Sequence, residues 1–191
     1  VAMVRTDAAC IWATGRTWWQ IPPVARVTLT GVLPPGVTGK DVIIALCGLF
    51  NRDDVLNHAI EFVGPEETMR SIPIDYRLTM ANMTTEWGAL TGLFPIDSVL
   101  AVWLRDKTVA WDLENPESAG HGRFRHARVD ELLQNPLASD PGAKYAKSIY
   151  LDLSTLSPYV AGPNSVKVAT PLHDLEVQRI ALDKAYLVSC T

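Results

Sequence analysis

Two short stretches of this sequence carry side chains whose types and spacing could do chemistry. In ANMTTEWGA, read as helix, Asn82 and Glu86 stand at i and i+4, about 40° apart on one face at about 3.6 residues per turn. A carboxylate and an amide held side by side can position a ligand hydroxyl or a water. The alternative is an ordinary exposed polar pair, although Met80, Met83 and Trp87 make the surroundings less solvated than a usual surface stripe. The second stretch is the closing AYLVSCT, where Cys190 directly follows an apolar run expected to be a strand. In open α/β sheets, ligand and cofactor groups gather outside the carboxyl ends of strands, which gives Cys190 a functional address. Taken alone, a cysteine in that place can equally be structural.

Other chemically versatile residues form no pattern. His58, His121, His126 and His173 have no metal-ligand spacing such as H-x-x-x-H, and read as structural or surface residues. There is no G-x-G-x-x-G, Walker A or G-x-S-x-G motif. Cys10 and Cys47 lie inside apolar helical stretches and are expected to be small buried hydrophobes. Trp18 and Trp19 are expected to be packed in the interior or at a domain interface.

The elements that must position these residues follow from pattern. VRTDAACIWATG reads as a helix with Asp7 near its start and Gly15 as its stop, and VARVTLTG as a half-buried strand. In KDVIIALCGLFN, Val42, Ala45, Leu46 and Leu49 repeat at helical spacing. HAIEFVGP predicts a short strand, and PIDYRLTMANMTTEWGALTGLFPID a long helix with Gly88 and Gly92 late in it. This alternation of strand and helix is that of the α/β class. From Lys107 to Lys144 the chain turns polar, with loop composition around one modest helix, ARVDELLQ. Beyond it, SIYLDLSTLSP alternates as a strand, YVAGPNSVKVATP crosses in extended form, and KAYLVSC is expected to be the last strand.

Bulk properties narrow the function. With 191 residues, 48% of them apolar, the chain can build the core of one domain, or of one domain plus portions of its neighbours. A net charge of -4 argues against a large phosphate-binding surface, so nucleic acid is not an expected partner. No apolar run approaches the roughly 18 to 20 residues that span a bilayer, so no membrane partner is expected. Three widely spaced cysteines suit a reducing compartment. Val1 at one end and an apolar strand at the other read as those of an internal piece of a longer polypeptide.

Four segments taken together are more particular than these generalities. ARVTLTGVLPPGVTGKDVIIALCGLF, DYRLTMANMTTEWGALTGLFPID, LDLSTLSPYVAGPNSVKVATPL and AYLVSCT resemble the aconitase superfamily, and within it the homoaconitases of the fungal lysine pathway. The similarity runs over nearly the whole chain and is weakest from Lys107 to Ala143. It implies a three-layer α/β/α fold, a mixed sheet flanked by helices. Residues 1–22 would end a first domain, 23–145 would form the second, and 146–191 would open a third. In that family the cysteine of Ser-Cys-Thr ligates a [4Fe-4S] cluster, which implies that Cys190 is one of three protein ligands. The other two would come from a C-x-x-C outside this chain, so the fragment itself would be cluster-free and inactive. The Asn-Met-x-x-Glu match implies that Asn82 lies beside the cluster and that Glu86 contacts the substrate hydroxyl or the iron-bound water. The family's general-base serine, substrate arginines and Asp-x-His motifs have no counterpart here.

The implied reaction is reversible dehydration and rehydration of a tricarboxylic hydroxy acid: homocitrate, cis-homoaconitate and homoisocitrate, in mitochondria. The remaining domains of the parent chain are the implied partners. An aconitase or isopropylmalate isomerase fragment, and a non-catalytic structural or binding module, are the other readings the residues allow.

Overall fold

A computed structural model describes residues 3–121 and 125–188. In chain order the elements are α1 (Arg5–Thr14), β1 (Val24–Thr30), α2 (Gly39–Leu49), β2 (Ala59–Val63), α3 (Glu66–Arg70), α4 (Ile74–Trp87), β3 (Thr91–Leu93), α5 (Ser98–Glu114), α6 (His126–Gln134), β4 (Lys147–Asp152), β5 (Tyr159–Ala161), β6 (Ala169–Pro171) and α7 (Leu172–Glu176). The chain divides into two units, Phe94–Ala143 and the remainder.

In the larger unit, helices connect strands that all run the same way, as crossover connections require. The sheet order is β3-β2-β1-β4, and every neighbour is parallel. Val27 stands in register with Phe62 on one side and Ile149 on the other, and all three are buried. The α/β class is as expected. Among the described residues, antiparallel pairing is confined to a separate two-stranded sheet, β5 with β6. The strand over Lys147–Asp152, where the sequence places the opening of a third domain, is hydrogen-bonded into the same sheet as β1.

Helix α2 explains its own apolar run, since Val42 through Cys47 are all buried. Its first turn is fixed by the T-G-K-D sequence: the Asp41 carboxylate accepts from the Thr38 backbone N–H and Oγ1, both at 2.7 Å. The other Asp41 oxygen accepts from the Tyr159 N–H at 2.8 Å, tying β5 to the start of α2. At the opposite end of α2, a Cβ on Gly48 would come 2.5 Å from the Ala169 Cβ, so β6 lies directly against that helix. Helix α4 stops at Gly88, whose φ of 105° is the left-handed conformation that ends helices.

Several expectations are corrected. The long helix does not run on to Gly92: that residue lies in β3, where a Cβ would meet Thr84 Cγ2 at 2.9 Å and Ala81 Cα at 3.0 Å. Its lack of a side chain lets the strand approach α4. The polar stretch from Lys107 is helical as far as Glu114. Helix α5 fully buries only Thr108, with Leu100, Trp103 and Leu104 half-buried, and its start is capped by Asp97, which accepts from the Leu100 N–H at 3.1 Å. The helix at ARVDELLQ is found, and Arg105 binds Asp130 at 2.6 Å to join α5 and α6 within the smaller unit.

Cys10 is exposed rather than packed, on a helix α1 that buries no residue, and Trp18 and Trp19 beyond it are exposed as well. Tyr186, Leu187 and Val188 form no strand and are largely exposed, Leu187 at 105%; an apolar run becomes a strand only where a neighbour takes up its backbone hydrogen bonds. Ser189, Cys190 and Thr191 lie outside the described residues.

Candidate functional site

The site residues expected on α4 occupy one exposed turn. Met80, Met83, Thr84 and Trp87 turn to the interior, which leaves Asn82 and Glu86 on the solvent side, one helical turn apart. The turn is anchored from below. Trp87 Nε1 donates to the Phe50 carbonyl at 2.9 Å, and the two rings sit 6.4 Å apart at a 50° tilt. This fixes the carboxyl end of α4 against that of α2, because Phe50 is the residue that closes α2. At the amino end the two helices are closer still. A Cβ on Gly39 would fall 2.6 Å from the Tyr76 carbonyl oxygen.

Charged groups from three parts of the chain act around the carboxyl end of α2. Lys167, between β5 and β6, binds Asp53 in the loop after α2, with Nζ 2.7 Å from Oδ1. Beneath lies Cys47, wholly buried in the last turns of α2. Burial pushes its thiol up to about 12; the nearby Glu86 charge adds to the rise, while Lys167 and a backbone hydrogen bond pull the other way. Glu86 and Lys167 therefore both act on the same sulfur from opposite electrostatic sides. No sequence spacing links these residues: Lys167 arrives only because Ala169 packs on Gly48 and Tyr159 on Asp41.

A thiol raised to about 12 is protonated at neutral pH. Cys10 is exposed on α1, and Cys190 lies outside the described residues. Among the described residues no group of three or more His, Cys, Asp or Glu could hold a metal ion. His58 Nδ1 lies 2.8 Å from the Leu56 carbonyl, and His173 Nε2 lies 3.0 Å from Asp174 Oδ1. None of the helices described is long and apolar enough to cross a membrane. What the arrangement can do chemically is present a carboxylate and an amide on one rigidly seated turn, with a lysine-carboxylate pair nearby.

Comparison with known proteins gives a consistent result. The family model described as "Aconitase family (aconitate hydratase)" matches residues 1–191. The chain is 74% identical over 189 residues to a protein of Neurospora crassa named "Homoaconitase, mitochondrial", covering 99% of this chain and 24% of that protein. Proteins of the same name from Aspergillus oryzae and Candida albicans are 71% and 59% identical, again over 99% of this chain and over 25% and 27% of their own lengths. The chain thus spans about a quarter of the length of the curated relatives it matches.

Proposed function

Because this chain belongs to the aconitase family, matched along residues 1–191, we propose that it forms part of a mitochondrial homoaconitase, a hydro-lyase acting on a small tricarboxylic acid. The observation that carries the proposal is the run of relatives sharing that printed name at 59% to 74% identity over 99% of the chain. The reaction would interconvert homocitrate and homoisocitrate through cis-homoaconitate. Water is lost by removal of a proton next to a carboxylate and of the hydroxyl from the adjacent carbon. It then returns with the hydroxyl on the neighbouring carbon.

Within that reading Glu86 contacts the reacting hydroxyl, and Asn82, on the same exposed face, helps to orient it. The position of both on a turn seated by Trp87 and Phe50 supports the assignment, because a group that positions a substrate must itself be held. The family implies a [4Fe-4S] cluster, which in its complete form supplies Lewis-acid chemistry. The proposal gives it Cys190 as one ligand and draws the other ligands, the general base and the carboxylate-binding arginines from outside this chain. The extra methylene that separates homocitrate from citrate is worth only about 1 to 3 kcal/mol in a pocket, and its readers are likewise placed outside these residues.

The test is hydration of cis-homoaconitate, cis-aconitate and isopropylmaleate by the whole protein, reconstituted anaerobically with iron and sulfide. The expected result is preference for cis-homoaconitate, loss of activity with Cys190→Ser, and a fall of about a hundredfold or more with Glu86→Gln. Preference for another acid would move the protein to a sister enzyme, and turnover of none of the three would overturn the hydro-lyase reading.

A further inference from the structure

Helix α4 carries three threonines, and their hydroxyls are used differently. Thr79 Oγ1 donates to the Asp75 carbonyl at 2.9 Å, and Thr84 Oγ1 to the Ala81 carbonyl at 2.8 Å. These are the ordinary back-bonds of threonine in a helix. Thr85 has the same option, with the Asn82 carbonyl 3.1 Å away, but its hydroxyl lies closer to a carboxylate, 2.7 Å from Glu86 Oε2. A hydroxyl has a single proton to give, and the shorter contact to a charged acceptor takes it.

From this we infer that Thr85 is a positioning residue for Glu86, acting within the function proposed above. Glu86 ends a flexible side chain on an exposed face, and its neighbour's hydroxyl ties Oε2 back along the helix. The tie occupies Oε2 and would leave Oε1 as the oxygen that meets the substrate hydroxyl. It also removes rotamers that would carry the carboxylate away from Asn82, one turn earlier on the same face. The Thr85 proton is not transferred and the residue does not touch substrate. Its effect is on where the Glu86 oxygens stand when the hydroxyl departs, which is a transition-state effect more than a ground-state one.

The test uses the whole, cluster-loaded enzyme and four variants: Thr85→Val, which keeps the shape and deletes the hydroxyl; Thr85→Ser, which keeps the hydroxyl; Glu86→Gln; and the double variant Thr85→Val/Glu86→Gln. Thr79→Val is the control for removing a back-bonded hydroxyl from the same helix. The expected outcome is a loss of about tenfold in kcat for Thr85→Val, with KM and thermal midpoint close to those of the unaltered enzyme. Thr85→Ser should restore most of the rate. In the Glu86→Gln background, Thr85→Val should cost little more, since the group it positions is already gone. Wild-type rates in Thr85→Val beside a damaged Glu86→Gln overturn the positioning role and leave the proposed function standing. Equal losses in Thr85→Val and Thr85→Ser, or an undiminished loss in the double variant, assign Thr85 a purely structural part and overturn it as well. A harmless Glu86→Gln overturns the role of Glu86, and the inference with it.

Discussion

The thiol of Cys47 is wholly buried beneath the Glu86 turn, and burial first, then the Glu86 charge, hold it up at about 12. Two consequences follow for the 191-residue chain. Iodoacetamide at pH 8 should modify Cys10, exposed on α1, and reach Cys47 only when urea opens the fold, as read by mass spectrometry of the labelled peptides. The sign of the pH effect follows from proton binding: above 9.0 the unfolded chain gives up this proton while the folded chain keeps it until about 12. Stability linked to Cys47 is therefore complete below 9.0 and is lost as pH rises toward about 12. Urea midpoints at pH 8 and pH 10 should differ less for Cys47→Ala than for the unaltered chain, and an equal difference would rule out the linkage. At this scale the sequence is legible where the relevant physics is local. The i, i+4 spacing places Asn82 and Glu86 on one turn, and the apolar run around Cys47 implies its burial. The apolar helix around Cys10 reads the same way in sequence, yet that cysteine is exposed, because burial needs a partner surface that the helix cannot specify.

Among the elements, the seat of the candidate site is the pairing of α2 with α4, and it depends on close backbone approach at Gly39. A methyl group there would stand 2.6 Å from the Tyr76 oxygen and 2.7 Å from its Cα. Backbone atoms cannot swing aside as a side-chain tip would, so the two helices must separate. Gly39→Ala should destabilise the chain by about 1 to 3 kcal/mol, more than any gain in helix propensity at this first-turn position. Urea unfolding measures it, and a variant as stable as the unaltered chain would show that the helices can part freely. The start of α2 is written in T-G-K-D, where each capping partner lies within three residues, and so it is readable. Helix α5 is hard to read because its apolar residues lie on exposed as well as half-buried faces, Val102, Val109 and Leu113 being exposed, and β3 because three residues ending in Leu93 carry too little pattern to outweigh the helix before them.

Taken as a whole, the molecule has two kinds of surface. Around the sheet, buried side chains meet with partners on every side. Trp12, Trp18, Trp19 and Ile21 near one end, and Ile180, Leu182, Tyr186, Leu187 and Val188 near the other, stand largely exposed. Since the described residues hold no metal-ligand group, iron and sulfide added anaerobically should leave the thermal midpoint of this chain unchanged. A rise of several degrees would show that it assembles a cluster site by itself. From the sequence alone came the α/β class, the approximate extents of α2, β1 and β2, the existence of β4 though not its end at Asp152, and the placing of Asn82 and Glu86 on one turn. All of these rest on periodicity and capping within a few residues. Only the tertiary structure decided that Lys167 and Asp53 meet, that Lys167 and Glu86 both act on Cys47, that β4 lies next to β1, and which apolar residues are covered. The reason is physical: covering a surface or pairing a strand requires a second surface distant in the chain, and local pattern records the need for such a partner without saying which one meets it.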